Sequence, residues 1–299
     1  MLMLDEPRDS DTHTYGDFAE LLCLLTADRT CSRDSIADFV RDSTGKRIRE
    51  EQLDDAFAQL RWRVNAFGAF YPFTLDEHVR VLTGIEQLSA SQRAYAFLLL
   101  CANLPYVPNV ELGALADAFE RAALCALKRL WPTKSEVRAF GKNETQYVGA
   151  KWERITRLAL DIGGRPTVKA DTYRNRDSGD GGIDLVAWLD LDGFEKENIP
   201  SGLAQCACSR SQWPTKQGAV SAFKIGAQLG PTHPWMTLMF IPQSFRNNLG
   251  QWAVDGEIGA TVLVDRLRLL QQLDAEADLA TIAPPPTFEN FLAERLPLV

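Results

Sequence analysis

Apolar residues recur at every third or fourth position through most of the first 135 residues of the chain. This spacing puts them on one face of a helix, so it predicts a series of amphipathic helices. The predicted helices cover residues 14–28, 32–43, 49–67, 75–88, 89–104 and 110–131, and Ser32 is the predicted N-cap of the second. Because no strand-like run interrupts them, we expect a helical N-terminal domain whose elements pack on one another.

The pattern changes near residue 140. Residues 131–145 are polar and contain Pro and Gly, which predicts a linker, and a helix predicted over residues 147–164 ends at a Gly-Gly pair. Strand-like apolar runs then cover residues 182–188, 202–208, 235–242 and 260–265, separated by helical or loop stretches. Strands with interposed helices predict a mixed α/β domain.

The predicted fold class is therefore α+β, with three parts. These are a helical domain over residues 1–139 that binds a partner or regulates, an α/β domain over residues 140–275, and a tail with a short helix over residues 276–299. The net charge of −8 is not that of a typical nucleic-acid-binding protein. However, residues 141–270 carry 15 basic and 14 acidic side chains, so a local basic surface stays open there.

The six cysteines are expected to be reduced thiols. The first residues lack the basic flank and apolar core of a signal peptide, and no apolar run approaches the ~20 residues of a membrane span. These features predict a cytoplasmic protein without membrane contact. Cys206 and Cys208 would face the same side of a strand, but two thiols do not supply the four ligands of a structural zinc site.

Asp184 stands where a glycine-rich turn enters an apolar run, in the sequence GDGGIDLVAW. An ionised carboxylate in a buried strand is costly unless it binds a cation or pairs with a charge. Two interpretations are open at this point: an aspartate that caps the turn, and one that holds a metal ion. Asp180, four residues earlier, presents the same choice.

Two further residues suggest the second interpretation. Glu153 lies on the predicted helix before the turn, and Gln205 lies near the end of the next strand-like run. Mg²⁺ is commonly held by one or two carboxylates with other oxygen ligands. Asp184 and Glu153 supply carboxylates, Gln205 an amide oxygen, and Cys206 a backbone carbonyl.

The order of these residues resembles the PD-(D/E)XK nuclease superfamily, and within it the branch typified by type IV restriction enzymes, which cut modified DNA. That branch has a glutamate on the first helix, a glycine-rich turn before Gly-Ile-Asp, and Gln-X-Lys on the next strand. The resemblance covers residues 145–275. It implies a restriction-endonuclease-like fold with a mixed central sheet, Mg²⁺ or Mn²⁺ as cofactor, and endonuclease activity on DNA. A bacterial restriction or anti-phage setting follows by analogy.

The chain departs from this pattern at the lysine, where Ala207 stands. In one explanation the role has moved to Lys216, which begins the next predicted helix and could place its amine near the attacking water. In the other, the domain has lost catalysis and binds DNA or a partner subunit. A third hypothesis is a nuclease subunit that is active only with a missing partner.

Basic residues flank the predicted site. Arg174, Arg176 and Arg210 are candidates for contacts with DNA phosphates, which basic side chains bind without sequence preference. Solvated surface arginines are the alternative. His13 and His78 are isolated in the helical domain and indicate no catalytic group.

Overall fold

The computed structural model describes residues 2–141, 145–174 and 181–296. It contains a largely helical N-terminal region and a five-stranded mixed sheet, as predicted. The chain forms two compact units. Unit 1 comprises Met1–Ala118, Pro242–Asp255 and Asp265–Val299, and unit 2 comprises Phe119–Ile241 and Gly256–Val264.

Helices account for most of the regular structure. In chain order they are α1 Thr12–Leu25, α2 Arg33–Thr44, α3 Glu50–Phe67, α4 Ala90–Ala102, α5 Leu112–Leu130, α6 Lys151–Asp161, α7 Trp213–Lys216, α8 Ala222–Leu229, α9 Arg266–Gln272, α10 Ala275–Ile282 and α11 Pro286–Ala293. The predicted N-cap of α2 is confirmed, because the Ser32 hydroxyl accepts a hydrogen bond from Ser35 N at 3.1 Å. In the part of the chain that the structure describes, no helix is both long and apolar enough to cross a membrane.

Unit 1 contains a three-stranded antiparallel sheet that the sequence analysis missed. Its strands are β1 Thr30–Ser32, β2 Phe73–Asp76 and β3 Val81–Gly84, in the order β1-β3-β2. The helix predicted over residues 75–88 is therefore wrong. Asp76 Oδ1 accepts hydrogen bonds from the backbone N of His78 and Val79, and Arg80 has φ +52°. These local bonds turn the chain, and pairing of β3 on both sides outweighs its helical spacing.

Unit 2 is built on the five-stranded sheet. Its strands are β4 Glu136–Ala139, β5 Leu185–Trp188, β6 Ser201–Cys206, β7 Met236–Phe240 and β8 Val262–Val264. The order is β4-β5-β6-β7-β8, with antiparallel pairs from β4 to β6 and parallel pairs from β6 to β8. Four of these strands were predicted. The edge strand β4 lies in the stretch predicted as a linker, because four residues of mixed polarity, none of them buried, have little strand signal of their own.

The core of unit 2 lies between this sheet and two helices. Apolar side chains of α6, such as Ile155 and Leu158, pack with Ile225 and Leu229 of α8. Every residue of β5 and β6 is buried. Strands buried in this way leave little room for unpaired charge, which makes the polar groups at their ends informative.

Unit 1 encloses a group of buried charged side chains, which we call the ionic cluster: Asp17, Glu20, Arg63 and Arg266. Arg63 Nη1 lies 2.7 Å from Asp17 Oδ1 and 2.8 Å from Glu20 Oε2. Arg266 Nη1 and Nη2 lie 3.0 and 2.9 Å from the two oxygens of Asp17. All four side chains are at most 5% exposed. Two acids and two bases balance, so the cluster is neutral as a whole.

Neutral groups complete the hydrogen bonds of the ionic cluster. The hydroxyls of Tyr71 and Tyr95 donate to Glu20 Oε1 at 2.8 and 2.9 Å, and Asn103 Nδ2 donates to Asp17 Oδ2 at 3.2 Å. Desolvation by burial and the nearby Glu20 carboxylate raise the pKa of both tyrosines. They therefore stay protonated and remain donors to Glu20 at neutral pH.

Candidate functional site

Asp184 lies at the entrance to β5, directly after the turn formed by Gly181 and Gly182. Both glycines have positive φ, at +74° and +82°, a conformation that favours glycine. Asp184 N donates to Ala204 O at 3.0 Å, which extends the pairing of β5 with β6. The Asp184 carboxylate Oδ2 accepts a hydrogen bond from Cys206 N at 2.7 Å. The carboxylate is thus held at the end of β6.

Gly182 admits no side chain. An added Cβ would lie 2.6 Å from the Cβ of Ala219 and 3.6 Å from Gln205 Nε2. The turn before Asp184 therefore packs tightly against the end of β6 and against the single helical turn Gln217–Val220. Close packing of this kind explains the local requirement for glycine, independently of any catalytic role.

Gln205 carries the most unusual polar atom of the site. Its side chain is buried, and its Oε1 has no hydrogen-bond partner among the described residues. A buried amide oxygen left unpaired costs about 1–3 kcal/mol. Such an atom calls for an explanation, and a bound ion or ordered water supplies one. Gln205 was predicted to supply an oxygen ligand, and its Oε1 has an open acceptor position.

The surroundings of Cys206 raise the pKa of its thiol. Burial raises the pKa of its thiol well above 9.0, the nearby Asp184 carboxylate raises it further, and Lys216 lowers it. The thiol therefore stays protonated and unsuited to nucleophilic attack. The Asp184 carboxylate, which accepts the bond from Cys206 N, affects this pKa more than Lys216 does. Lys216 is the last residue of α7 and is partly exposed.

Glu153 lies in the first turn of α6, where its carboxylate Oε2 accepts a hydrogen bond from Ala150 N at 2.7 Å. This contact satisfies an otherwise unpaired N–H at the start of the helix, and the negative charge of Glu153 interacts favourably with the positive end of the helix dipole. The structure thus gives Glu153 a local role at the N-terminus of α6.

Arg154 links α6 to the backbone beside Asp184. Its Nη2 donates to Phe140 O at 2.5 Å, and Phe140 N and Gly141 N donate to Asp184 O at 2.7 and 3.1 Å. The sequence analysis did not single out Arg154. No local pattern could have identified it, because its partner lies beyond β4, a strand that was not predicted.

Metal-ligand side chains are sparse around Asp184. Within residues 2–141, 145–174 and 181–296, no group of three or more His, Cys, Asp or Glu side chains could hold a metal ion. Zinc at Cys206 and Cys208 has no support in that part of the chain, since a structural zinc site needs four ligands. A Mg²⁺ site makes a smaller demand, because this ion keeps several waters and uses one or two carboxylates.

The predicted phosphate contacts differ in their surroundings. Arg210 Nη1 lies 2.9 Å from Glu257 Oε2, so a phosphate would compete with a carboxylate for it. Arg174 is exposed. Arg176 and Asp180 lie outside the described residues.

Comparison of the chain with protein-family models, curated proteins and solved structures gave no match.

Proposed function

We propose that unit 2 is a metal-dependent endonuclease domain of the PD-(D/E)XK kind, with a restriction-endonuclease-like fold, which hydrolyses DNA phosphodiester bonds. The observation that carries the proposal is the unpaired, buried Oε1 of Gln205, beside the Gly182 turn that leads into Asp184. The mixed sheet with these residues at adjacent strand ends is compatible with that fold.

The residues fit a hard cation. The Asp184 carboxylate, Gln205 Oε1 and the backbone carbonyl of Cys206 are oxygen donors, the type that Mg²⁺ or Mn²⁺ prefers. When bound, the ion would supply Lewis-acid stabilisation of the phosphate and a more acidic water. The bond from Cys206 N orients the Asp184 carboxylate before any ligand arrives, which is the kind of preorganisation that catalysis needs.

We assign the role left open by Ala207 to Lys216, a lysine relocated to α7, the helix that follows β6 in the chain. Its ammonium group would orient the attacking water and offset negative charge that develops on the phosphate. Glu153 accepts the bond from Ala150 N through Oε2, and a carboxylate in this state can still ligate a metal through its other oxygen; we assign it first to positioning α6.

A second function is a nuclease-fold module that binds DNA or a partner subunit without cutting. One observation favours it: among the described residues, no group of three or more His, Cys, Asp or Glu side chains could hold a metal ion. In either case we propose that the helical N-terminal region binds a partner or regulates, in a cytoplasmic restriction or anti-phage setting proposed by analogy only.

Cleavage of supercoiled plasmid DNA, with Mg²⁺ and separately with Mn²⁺, tests the first proposal. We expect wild type to cut, and Asp184→Asn and Lys216→Gln each to lose about 100-fold or more in rate. Asp190→Asn and Lys196→Gln change the same residue types in the exposed loop between β5 and β6, and should cut like wild type.

Other results of the same experiment distinguish the two proposed functions. If wild type fails to cut with either ion, but binds DNA equally well with and without metal and with Asp184→Asn, the enzyme proposal is wrong and the binding module stands. If Asp184→Asn abolishes cutting and Lys216→Gln does not, the domain is an enzyme but the relocated lysine is wrong.

A further inference from the structure

Acidic residues are absent from a long stretch of the chain. No Asp or Glu occurs between Glu197 and Asp255, whereas 40 acids in 299 residues would place about eight in that length. The part of this stretch in unit 2 contains Arg210, Lys216 and Lys224. An acidic protein thus has a segment whose charges are all positive, which favours contact with a polyanion.

The most exposed aromatic side chain of the described residues lies in this segment. Phe223, in the first turn of α8, has a side chain that is fully exposed, at 100%. Its backbone is well anchored: Ser221 Oγ accepts from Lys224 N at 3.3 Å, and Trp235 Nε1 donates to Val220 O at 2.8 Å. The ring therefore projects from a fixed helix rather than from a loose loop.

The chain on both sides of Phe223 packs against the turn that leads to Asp184. Ala219, four residues before it, contacts the Gly182 turn beside Gln205. Ile225, two residues after it, is buried, and its Cδ1 lies 3.6 Å from the position of a Cβ on Gly181. Helix α8 therefore meets this turn with the face that carries Ile225, and Phe223 lies on the opposite, exposed face.

The charges near Phe223 differ from those near the other strongly exposed phenylalanine of unit 2. Lys224 follows Phe223 directly and is exposed, and it makes no ion pair within the part of the chain that the structure describes. Phe194 is 93% exposed but lies among acids, next to Glu195 and two residues from Asp192. A phosphate backbone would be attracted to the first ring's surroundings and repelled from the second.

We propose that Phe223 and Lys224 form a contact for a nucleic-acid strand with unpaired bases, in which Phe223 stacks on a base and Lys224 binds a phosphate. Aromatic rings stack on bases with little sequence preference, and lysines bind the backbone. This inference rests on the proposed function, because it names the substrate class of the proposed enzyme: single-stranded or locally opened DNA.

Fluorescence anisotropy in EDTA measures the contact without cleavage. The probes are a fluorescein-labelled single-stranded oligonucleotide and a duplex of the same sequence. Phe223→Ala should weaken single-strand binding roughly five- to hundredfold and leave duplex binding nearly unchanged, while Phe223→Trp retains it. Lys224→Gln should weaken both and lower the slope of log affinity against log salt by about 1.

Phe194→Ala is the matched control and should bind both probes like wild type. Thermal melting checks the fold, and we expect an exposed substitution to shift stability by at most about 0.5 kcal/mol. The proposal is overturned if Phe223→Ala binds the single strand with the same affinity as wild type. It is also overturned if Phe223→Ala loses the same affinity for both probes, or if wild type binds neither.

The outcomes separate this contact from the nuclease proposal. Single-strand binding that depends on Phe223, in a protein that cuts nothing, would retain the contact and reject the enzyme. Cleavage that depends on Asp184, with normal single-strand binding by Phe223→Ala, would retain the enzyme and reject the contact.

Discussion

Replacing Asp17 with Asn should destabilise unit 1 more strongly than any surface charge substitution. The Asp17 carboxylate accepts hydrogen bonds from Arg63, Arg266 and Asn103, all inside the core. Asn keeps the shape of the side chain and removes its charge. Two guanidinium groups would then share the single carboxylate of Glu20, so the ionic cluster would carry one uncompensated positive charge.

The size of the effect follows from burial. Removing one partner of a buried ion pair costs about 3–5 kcal/mol, because the remaining charge stays desolvated and unpaired. By contrast, Asp38 and Arg41 pair at 2.9 Å with side chains 56% and 52% exposed, and such pairs contribute about 0–1 kcal/mol. Urea unfolding of Asp17→Asn and Asp38→Asn, followed by circular dichroism, compares the two directly.

A second substitution tests the reason for the loss. Asp17→Asn combined with Arg266→Met restores neutrality, with Glu20 and Arg63 left as a pair. We expect the double variant to be more stable than Asp17→Asn alone, because a buried charge without a partner is costlier than a missing pair. Uncompensated charge is the wrong explanation if Asp17→Asn lowers the free energy of unfolding by less than about 1 kcal/mol. It is also wrong if Arg266→Met lowers that free energy as much in the Asp17→Asn background as in wild type.

Two further predictions concern pH and the glycine turn. Burial raises the pKa of Asp17, but the guanidinium groups of Arg266 and Arg63 outweigh this and hold it below 3.8. The stability it contributes is therefore complete above about pH 4 and is lost as pH falls through the folded-state pKa; urea midpoints of wild type should fall more steeply with acid than those of Asp17→Asn, and parallel curves would contradict this. Gly182→Ala should lower stability by about 1–3 kcal/mol, because φ is +82° and the new Cβ meets Ala219. Gly193→Ala, at φ +78° with no atom within 4 Å of its Cβ, should cost less in thermal melting; equal costs would show that the contact with Ala219 contributes nothing.

The sequence predicted best where a local pattern and the tertiary environment agree. The runs at β5 to β8 are apolar because their strands are buried, so composition revealed them. Ser32 was identified as an N-cap because the capping bond spans only three residues. Asp184 lies before one strand-like run and Gln205 near the end of the next, and in the sheet these two ends are neighbours.

The failures share a different cause: the decisive partners are distant in sequence. Strand β3 was predicted as part of a helix, since its pairing with β1 joins residues about fifty positions apart. The ionic cluster left no trace in any pattern, because Asp17 and Arg266 are separated by 249 positions. The acceptor on Gln205 was predictable as a residue type, whereas its lack of a partner depends on the packing around Gly182.

That separation has a consequence for biosynthesis. A ribosome that adds about 5–20 residues per second needs roughly 12–50 s to travel from Asp17 to Arg266, 249 positions later. During that interval Asp17, Glu20 and Arg63 are already made, but two carboxylates face one guanidinium. Unit 1 is therefore started first, but its ionic cluster becomes neutral only after all of unit 2 has been synthesised. Until then the nascent chain carries an N-terminal region whose core is incomplete.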